Sequence, residues 1–278
     1  MVTENWRPGI EAGALVARSR MLTAIRRFFE SRGVIEVQTP VLMPCTVTEP
    51  MIDSIEVPGY GWLQVSPEYP MKRLLAAGCG AIYQLGPVFR DGERGRWHNP
   101  EFTLLEWYRP GFDDRDLMAE LADLINELLG RADYRDQPYG ALVPATLEGD
   151  AADLAYAEAC ARLSGRVFVT RFPKSQASLA QLHADGETAA RFELIIDGVE
   201  IANGYFETGN PDELLARFEA DNRRRRTLGK RELVIDQQFL SAMAAGIPKV
   251  SGVAVGVDRL FMLQQRLVHM DAALTFRI

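Results

Sequence analysis

The chain has 278 residues, with 31 basic and 38 acidic side chains and a formal net charge of −7. This balance excludes a protein whose main task is to coat nucleic acid, because that affinity depends on many Lys and Arg contacts to phosphate. The sequence contains no run of about 20 apolar residues and no N-terminal apolar segment, so we expect neither a membrane span nor a signal peptide. Its three cysteines form no CxxC pair and predict no zinc site or disulfide framework. We therefore expect a cytoplasmic protein that makes no membrane contact.

Hydrophobic periodicity and turn residues predict a series of alternating helices and strands. In chain order these are a helix over residues 15–32, strands over 34–37 and 62–65, a helix over 67–77, strands over 81–89 and 101–109, helices over 113–129 and 153–163, strands over 166–172, 191–196 and 199–207, helices over 211–228 and 237–245, and a segment over 252–267 that begins glycine-rich and becomes helical. Residues 131–149 give no clear prediction.

Two connections set the type of sheet. Asp197-Gly198 between two apolar runs is the strongest hairpin signal in the chain. An eleven-residue polar loop, residues 90–100, joins the strands on either side of it, and connections of that length are often functional. Antiparallel pairs of this kind predict an α+β fold with a mostly antiparallel sheet flanked by helices. Without an internal repeat or a low-complexity linker, residues 1–278 are predicted to form a single domain.

Several common catalytic motifs are absent from the sequence. It contains no GxxxxGK[ST], no GxGxxG after a strand, no HExxH and no GxSxG. The usual phosphate loops, zinc-hydrolase sites and serine elbows are therefore not predicted.

The long loop carries the first candidate site. It contains Arg90, Arg94, Arg96, His98 and Asn99, and the strand after it begins with an aromatic residue. Arginine offers a planar fork to phosphate, and an aromatic ring offers a stacking surface to a purine. The alternative is a solvated loop whose arginines pair with neighbouring carboxylates.

Two further segments are candidates. Glu200 and Glu207 lie seven residues apart on one predicted strand, and a bulge at Gly204 would turn both into one site, where paired carboxylates beside a polyphosphate suit Mg²⁺. The alternative is two exposed strand glutamates. In residues 252–259, small residues precede a helix whose first turn holds Arg259, where a cation is unfavourable to the helix dipole. The alternative is a tightly packed turn with Arg259 on the surface.

Together these segments resemble a known family. Residues 20–40, 89–108 and 252–263 resemble motifs 1, 2 and 3 of class II aminoacyl-tRNA synthetases of the lysyl type. Residues 66–69 (SPEY), 71–78 (MKRLLAAG), 98–103 (HNPEFT), 106–110 (EWYRP) and 175–181 (SQASLAQ) resemble more closely the synthetase paralogues that ligate (R)-β-lysine to elongation factor P. The resemblance covers nearly the whole chain.

The resemblance implies catalytic roles for Arg90, which would bind the α-phosphate of ATP, and for Arg259, which would bind the γ-phosphate. The ATP-binding residues that it implies are Arg90, Asp91, Gly92, Glu93, Asn99, Phe102, Glu200, Ile201, Gly256 and Arg259. The amino-acid pocket that it implies consists of Ser66, Pro67, Glu68, Tyr108, Glu207 and Ala254, with Glu200 and Glu207 as Mg²⁺ ligands.

Two positions depart from the family pattern. Gly92 replaces a glutamate that often follows the motif 2 arginine, and whether Glu93 takes over adenine recognition stays open. Ala254 stands at the second glycine of the lysyl motif 3. Its added methyl group would suit a substrate whose amino group is displaced by one carbon. The region between Tyr108 and Glu200 is also expected to be shorter than in relatives.

The implied activity is ATP-dependent formation of an aminoacyl adenylate, with a lysine of elongation factor P as acceptor and Mg²⁺ as cofactor. The alternatives are a truncated lysyl-tRNA synthetase-like enzyme that charges tRNA, a non-catalytic nucleotide-binding regulator and, more distantly, an asparagine-forming ligase. tRNA is not expected as a partner, because motif 1 begins near the N-terminus and leaves no room for an anticodon-binding domain. Motif 1 implies a homodimer. The run at residues 223–226 is expected to be a solvated helix face.

Overall fold

The computed structural model describes residues 6–277. Seven α-helices occur in this part of the chain: α1 (Ala12–Glu30), α2 (Glu68–Ala76), α3 (Asp114–Leu129), α4 (Gly149–Cys160), α5 (Pro211–Thr227), α6 (Gln237–Ala245) and α7 (Val257–Gln265). Polar caps begin several of them. Asp113 and Asp116 form a capping box at α3, and the side chains of Asn210 and Asp236 accept hydrogen bonds from the first-turn amides of α5 and α6.

The strands described are β1 (Ile35–Glu36), β2 (Leu42–Met43), β3 (Glu56–Val57), β4 (Gly61–Leu63), β5 (Ile82–Phe89), β6 (Glu101–Pro110), β7 (Tyr134–Pro138), β8 (Arg166–Pro173), β9 (Thr188–Ile196), β10 (Val199–Phe206) and β11 (Val250–Gly256). Eight of them form one sheet in the order β1-β5-β6-β11-β10-β9-β8-β7. The pairs β1–β5 and β7–β8 are parallel and the other five are antiparallel. The predicted mostly antiparallel α+β fold is confirmed.

One face of the central sheet is covered by helices α1, α3 and α7. Trp107 of β6, Phe192 of β9 and Val255 of β11 are fully buried in this layer, and the indole Nε1 of Trp107 donates to Glu120 of α3 at 3.0 Å. Burying apolar surface contributes about 25 cal/mol per Å², so this layer is the main source of stability. The opposite face of β6, β11, β10 and β9 is left for the site.

Two local predictions are confirmed in detail. Asp197 and Gly198 both have positive φ angles, 48° and 82°, as a two-residue turn between antiparallel strands requires. In β6, the strand period of two predicts Glu106 and Tyr108 on one face and Trp107 on the other. The structure confirms this alternation, since Trp107 lies in the helical layer while Glu106 and Tyr108 border the open face. Period-two geometry was sufficient because β6 is regular along its length.

Three features differ from the sequence prediction. Residues 131–149, which gave no clear prediction, contain β7 at the sheet edge. Residues 250–256 form β11, which lies at the centre of the sheet between β6 and β10. The run at residues 223–226 is not uniformly solvated, because Arg225 is 5% exposed and donates to the carbonyl oxygens of Arg231 and Glu49. Each depends on long-range pairing that local pattern does not reveal.

Within residues 6–277, none of the helices combines the length and the apolar character that crossing a membrane would need.

Candidate active site

The open face of the sheet forms the floor of a cavity of about 850 Å³. Its centre is β11, where Gly252, Ala254 and Gly256 alternate with the buried valines Val253 and Val255. A Cβ atom on Gly252 would lie 2.3 Å from Cε1 of Tyr108 and 2.7 Å from Oε1 of Glu207. Glycine is therefore required where these two side chains cross the strand.

At one end of the cavity, Arg90 follows β5 and faces an aromatic ring. Its guanidinium carbon lies 5.1 Å from the ring centroid of Phe102, and its NH1 atom lies 3.7 Å from Oε1 of Glu93. The Arg90 amide donates to the carbonyl oxygen of Pro100 at 2.9 Å, which closes the long loop. The side chain is only a quarter exposed, so a bound phosphate would be partly shielded from water.

Arg259, in the first turn of α7, is fixed by three partners. Its Nε donates to the carbonyl oxygen of Trp97 at 3.2 Å, its NH1 donates to that of Glu200 at 3.0 Å, and its NH2 lies 2.7 Å from Nε2 of His98. Burial and the Arg259 charge lower the pKa of His98, so its neutral ring accepts this hydrogen bond. The long loop is thereby joined to α7.

The other end of the cavity is acidic and buried. Glu106 of β6 accepts hydrogen bonds from Ser66 Oγ and Tyr108 Oη, both at 2.7 Å. Burial, with the nearby charge of Glu68, raises the pKa of Glu106 to about 7. A lysine-like substrate carries two ammonium groups, and buried carboxylates are the groups that would pair with them.

Between Glu68 and Glu207 lies a lysine of the chain itself. Lys72 Nζ is 2.6 Å from Glu68 Oε1 and 2.6 Å from Glu207 Oε2. Burial opposes its charge, but the attraction of Glu207 and Glu68 outweighs burial and raises the pKa of Lys72. This end of the cavity is thus a set of acidic groups around one permanent cation.

A third group lies on β9. Glu193 pairs with Arg191 at 2.5 Å and accepts a hydrogen bond from Tyr156 of α4 at 2.7 Å. Arg191 also donates to Asn203 of β10 at 3.3 Å. Burial raises the pKa of Glu193, and the nearby charge of Glu200 adds to this effect. The Arg191 charge opposes this rise, and the Glu200 charge acts on Glu193 from the other strand of the hairpin.

Comparison with known proteins identifies the family. Residues 10–276 match the tRNA synthetases class II (D, K and N). The chain belongs to this family. The prediction made from the three motifs is thus confirmed, and membership makes the chain an adenylate-forming ligase that uses ATP.

Several relatives that match nearly the whole of this chain are named elongation factor P–(R)-β-lysine ligase. The protein of Vibrio cholerae is 40% identical over 99% of this chain and 98% of its own length. The protein of Photobacterium profundum is 38% identical over 100% of this chain and 99% of its own length. The protein of Salmonella paratyphi A is 41% identical over 94% of this chain and 94% of its own length. The alignment with the Vibrio cholerae protein has 319 positions against 278 residues here, so this relative carries at least 41 additional residues.

Most of the residues that the class II motifs predicted border one cavity. These are Ser66, Glu68, Arg90, Glu93, Asn99, Phe102, Tyr108, Glu200, Ile201, Glu207, Ala254, Gly256 and Arg259. The side chain of Ile201 packs in the helical layer on the opposite face, and the amide of Asn99 is buried and donates to the carbonyl oxygen of Glu101 at 2.7 Å.

Three predicted residues, Asp91, Gly92 and Pro67, are not among those that border the cavity, and their assignment stays a prediction. Asp91 and Gly92 form a turn. Gly92 has a φ of +73°, its amide donates to the Asp91 carboxylate, and the Asp91 amide donates to the carbonyl oxygen of Asp53. A left-handed turn explains why glycine is used at this position. Pro67 precedes α2 and acts in starting the helix.

The structure corrects the assignment of Glu200 and Glu207 as a pair of ligands to one metal ion. Both carboxylates lie on the open face, because a bulge between Glu200 and Ala202, rather than at Gly204, turns Glu200 toward the side of Glu207. They are nevertheless about 20 Å apart along β10. Glu207 is paired with Lys72 at the acidic end, whereas Glu200 lies beside Arg259 and Glu193. The two cannot hold one ion.

Sequence reasoning assigned no site role to Lys72, Glu106, Arg191, Glu193 or Tyr156. Two of these had a local signal: Glu106 shares the β6 face of Tyr108, and Lys72 follows Glu68 by one helical turn. Glu193 of β9, which pairs with Arg191, contacts Tyr156 of α4 only because the sheet pairing brings these elements together. No spacing in the sequence indicates that contact.

Proposed function

We propose that the protein activates (R)-β-lysine, or lysine, with ATP to an aminoacyl adenylate and transfers the aminoacyl group to a lysine side chain of elongation factor P. The observation that carries this proposal is the cavity itself, in which two arginines lie at one end and the buried Glu106 and Glu207, with the half-buried Glu68, lie at the other. The name shared by relatives about 40% identical over nearly the whole chain supports it.

ATP would lie across Arg90, Phe102 and Arg259. In this arrangement the adenine stacks on the Phe102 ring, Arg259 pairs with the γ-phosphate, and Gly256 lets the nucleotide approach the backbone. Arg90 pairs with the α-phosphate. There it stabilises the negative charge that develops when the substrate carboxylate attacks phosphorus and the bond to pyrophosphate breaks.

The ammonium groups of the amino acid would pair with the acidic end. Ser66 and Tyr108 already orient Glu106, and Glu68 and Glu207 supply two further carboxylates. Ala254 lies between Glu106 and Asn203 in the sheet register and projects to the same face. Its methyl group would favour a substrate whose amino group is displaced by one carbon.

The donors for Mg²⁺ would be Glu193 and Glu200. Burial raises the pKa of Glu193, Arg191 opposes the rise and the Glu200 charge adds to it, so a cation beside the two carboxylates would stabilise their ionised forms. Carboxylate oxygens are the protein ligands that Mg²⁺ prefers. When bound, the ion would neutralise charge on the phosphates. Arg191 and Tyr156 would hold Glu193 in place.

In the second step the neutral amine of the acceptor lysine attacks the carbonyl carbon of the adenylate. The new amide bond forms as the bond to AMP breaks, and the amine proton is lost to solvent or AMP. The adenylate is itself the activated acyl group, so this step requires no serine or cysteine nucleophile.

A homodimer, a single domain and a cytoplasmic location are part of the proposal. Helix α1, which corresponds to motif 1, leaves Val16 52% exposed, and Ile35 of the edge strand β1 is 58% exposed. Such apolar side chains on neighbouring elements fit a contact between two copies. The free thiols Cys45, Cys79 and Cys160 fit a reducing compartment.

The test is to incubate the protein with ATP, Mg²⁺ and α- or β-lysine in the presence of either elongation factor P or tRNA. We expect a mass increase on elongation factor P equal to one lysyl group, and amino-acid-dependent exchange of pyrophosphate into ATP. Label on tRNA alone would establish a tRNA-charging enzyme instead. Nucleotide binding without any exchange would establish a non-catalytic regulator.

A further inference from the structure

Lys72 is the most deeply buried cation at the acidic end of the cavity. It lies on α2 with its side chain 1% exposed, and its Nζ is 2.6 Å from one carboxylate oxygen of Glu68 and from one of Glu207. The first contact is within α2, and the second joins α2 to the residue that follows β10. Lys72 therefore connects two walls of the cavity.

An unpaired ammonium group in this place would be strongly unfavourable, because burial removes its hydration. Pairing with two carboxylates offsets that cost. Burial raises the pKa of Glu207 to about 8, and the Lys72 charge opposes this rise. The titratable groups that face this cluster are Glu68 and Tyr69 on α2, Glu106 and Tyr108 on β6, Tyr205 on β10, and Glu207. Within this set Lys72 is the one cation.

The charges have a simple balance. Glu68, Glu106 and Glu207 supply up to three negative charges, and Lys72 removes one. At most two remain, which equals the number of ammonium groups on a diamino acid. An amino acid with one ammonium group would leave a carboxylate without a partner, and that is costly for a buried charge.

We propose that Lys72 is a positioning residue that sets the charge of this pocket, so that the site binds amino acids with two ammonium groups and rejects those with one. It holds the carboxylates of Glu68 and Glu207 in place for the substrate without taking part in the chemistry. The inference rests on the proposed function and adds the group that determines its selectivity.

The test compares Lys72→Gln, Lys72→Arg and, as a matched control, Lys249→Gln at an exposed lysine. Amino-acid-dependent pyrophosphate exchange gives KM for β-lysine and for ATP between pH 6.5 and 9. An analogue lacking the side-chain ammonium group measures selectivity. Thermal unfolding reports whether each variant is folded.

For Lys72→Gln at pH 7 we expect KM for β-lysine to rise by at least about tenfold, the loss typical of one charged hydrogen bond. KM for ATP should change by less than about twofold. Without Lys72 the pKa values of Glu106 and Glu207 rise further, because the Lys72 charge lowers both. KM for β-lysine should therefore recover as the pH increases and these two groups ionise. Lys72→Arg, which keeps the charge, should retain selectivity and a pH profile close to that of the unmodified protein.

Unchanged KM and selectivity in a folded Lys72→Gln would overturn the inference. If Lys72→Gln does not fold, Lys72→Arg provides the test. Equal increases in KM for ATP and in KM for β-lysine would indicate a purely structural residue and would also overturn the inference. Absence of exchange in the unmodified protein would instead refute the proposed function, and this inference with it.

Discussion

His98 Nε2 lies 2.7 Å from NH2 of Arg259. The two residues come from the motif 2 loop and from the first turn of the motif 3 helix, 161 positions apart in the chain. The contact joins the two segments that carry the phosphate-binding arginines, and so presets the distance between them. It requires the imidazole to be neutral at Nε2, because a protonated ring would face the guanidinium as a second cation.

His98 is therefore expected to titrate below the ordinary histidine value of about 6.5. Burial disfavours its charged form, and Arg259 adds repulsion. Its ring is neutral above the lowered pKa, and the contact with Arg259 is lost only as the pH falls through that value. Ring titration by heteronuclear NMR measures this, and Arg259→Gln should move the pKa of His98 upward. A midpoint at or above 6.5 in the unmodified protein contradicts the assignment.

Arg90 is expected to act mainly in the transition state. Arg90→Lys keeps the charge but loses the planar fork, and we expect kcat to fall about 100-fold with a smaller change in KM for ATP. Single-turnover formation of the adenylate separates the two effects. The exposed Arg131→Lys is the control. A change confined to KM would show that Arg90 binds ATP without stabilising the transition state.

Gly252 is expected to be intolerant of even one methyl group. In Gly252→Ala the new Cβ would overlap Tyr108 and Glu207, which should cost about 1–3 kcal/mol of stability and raise KM for the amino acid. Chemical denaturation measures the first effect and exchange kinetics the second. Gly13→Ala in α1 has nothing within 4 Å of its Cβ and should be neutral or stabilising. Equal behaviour of the two variants would contradict the close approach.

Glu200 of β10 and Glu207, which follows that strand, are expected to have different functions. Glu200→Gln should raise the Mg²⁺ concentration that gives half-maximal exchange, because it lies beside Glu193. Glu207→Gln should leave that concentration unchanged and raise KM for the amino acid, because it lies beside Lys72. Titration of each variant with Mg²⁺ distinguishes them. If Glu207→Gln changed the Mg²⁺ dependence as strongly as Glu200→Gln, the revised assignment would be wrong.

Ala254 is expected to influence which lysine isomer is used. Ala254→Gly removes a methyl group from the floor of the pocket, between Glu106 and Asn203. The ratio of kcat/KM for β-lysine to that for α-lysine should then fall. Adenylate formation with each isomer gives this ratio directly. No change in the ratio would remove the proposed role of the methyl group.

The sequence was sufficient to predict those structural features that are determined by interactions among neighbouring residues. The β6 alternation, the Asp197-Gly198 turn and the boundaries of α6 follow from strand pleat, turn conformation and capping, all of which act over a few residues. The family was also predictable, since its motifs are short segments whose residue types and order are visible in the chain. These features predicted the fold class and a set of site residues, most of which border the cavity.

Only the tertiary structure decided how the site is divided. The length and the net charge of −7 gave no indication that acidic groups concentrate at one end of a cavity and arginines at the other. Strand order, a bulge and helix packing place Lys72 between Glu68 and Glu207 and place Glu193 beside Glu200. They also determine the position of the turn at Gly92. The physical reason is that charge interactions depend on distance and burial in space, and pairing across the sheet sets both for residues far apart in the chain.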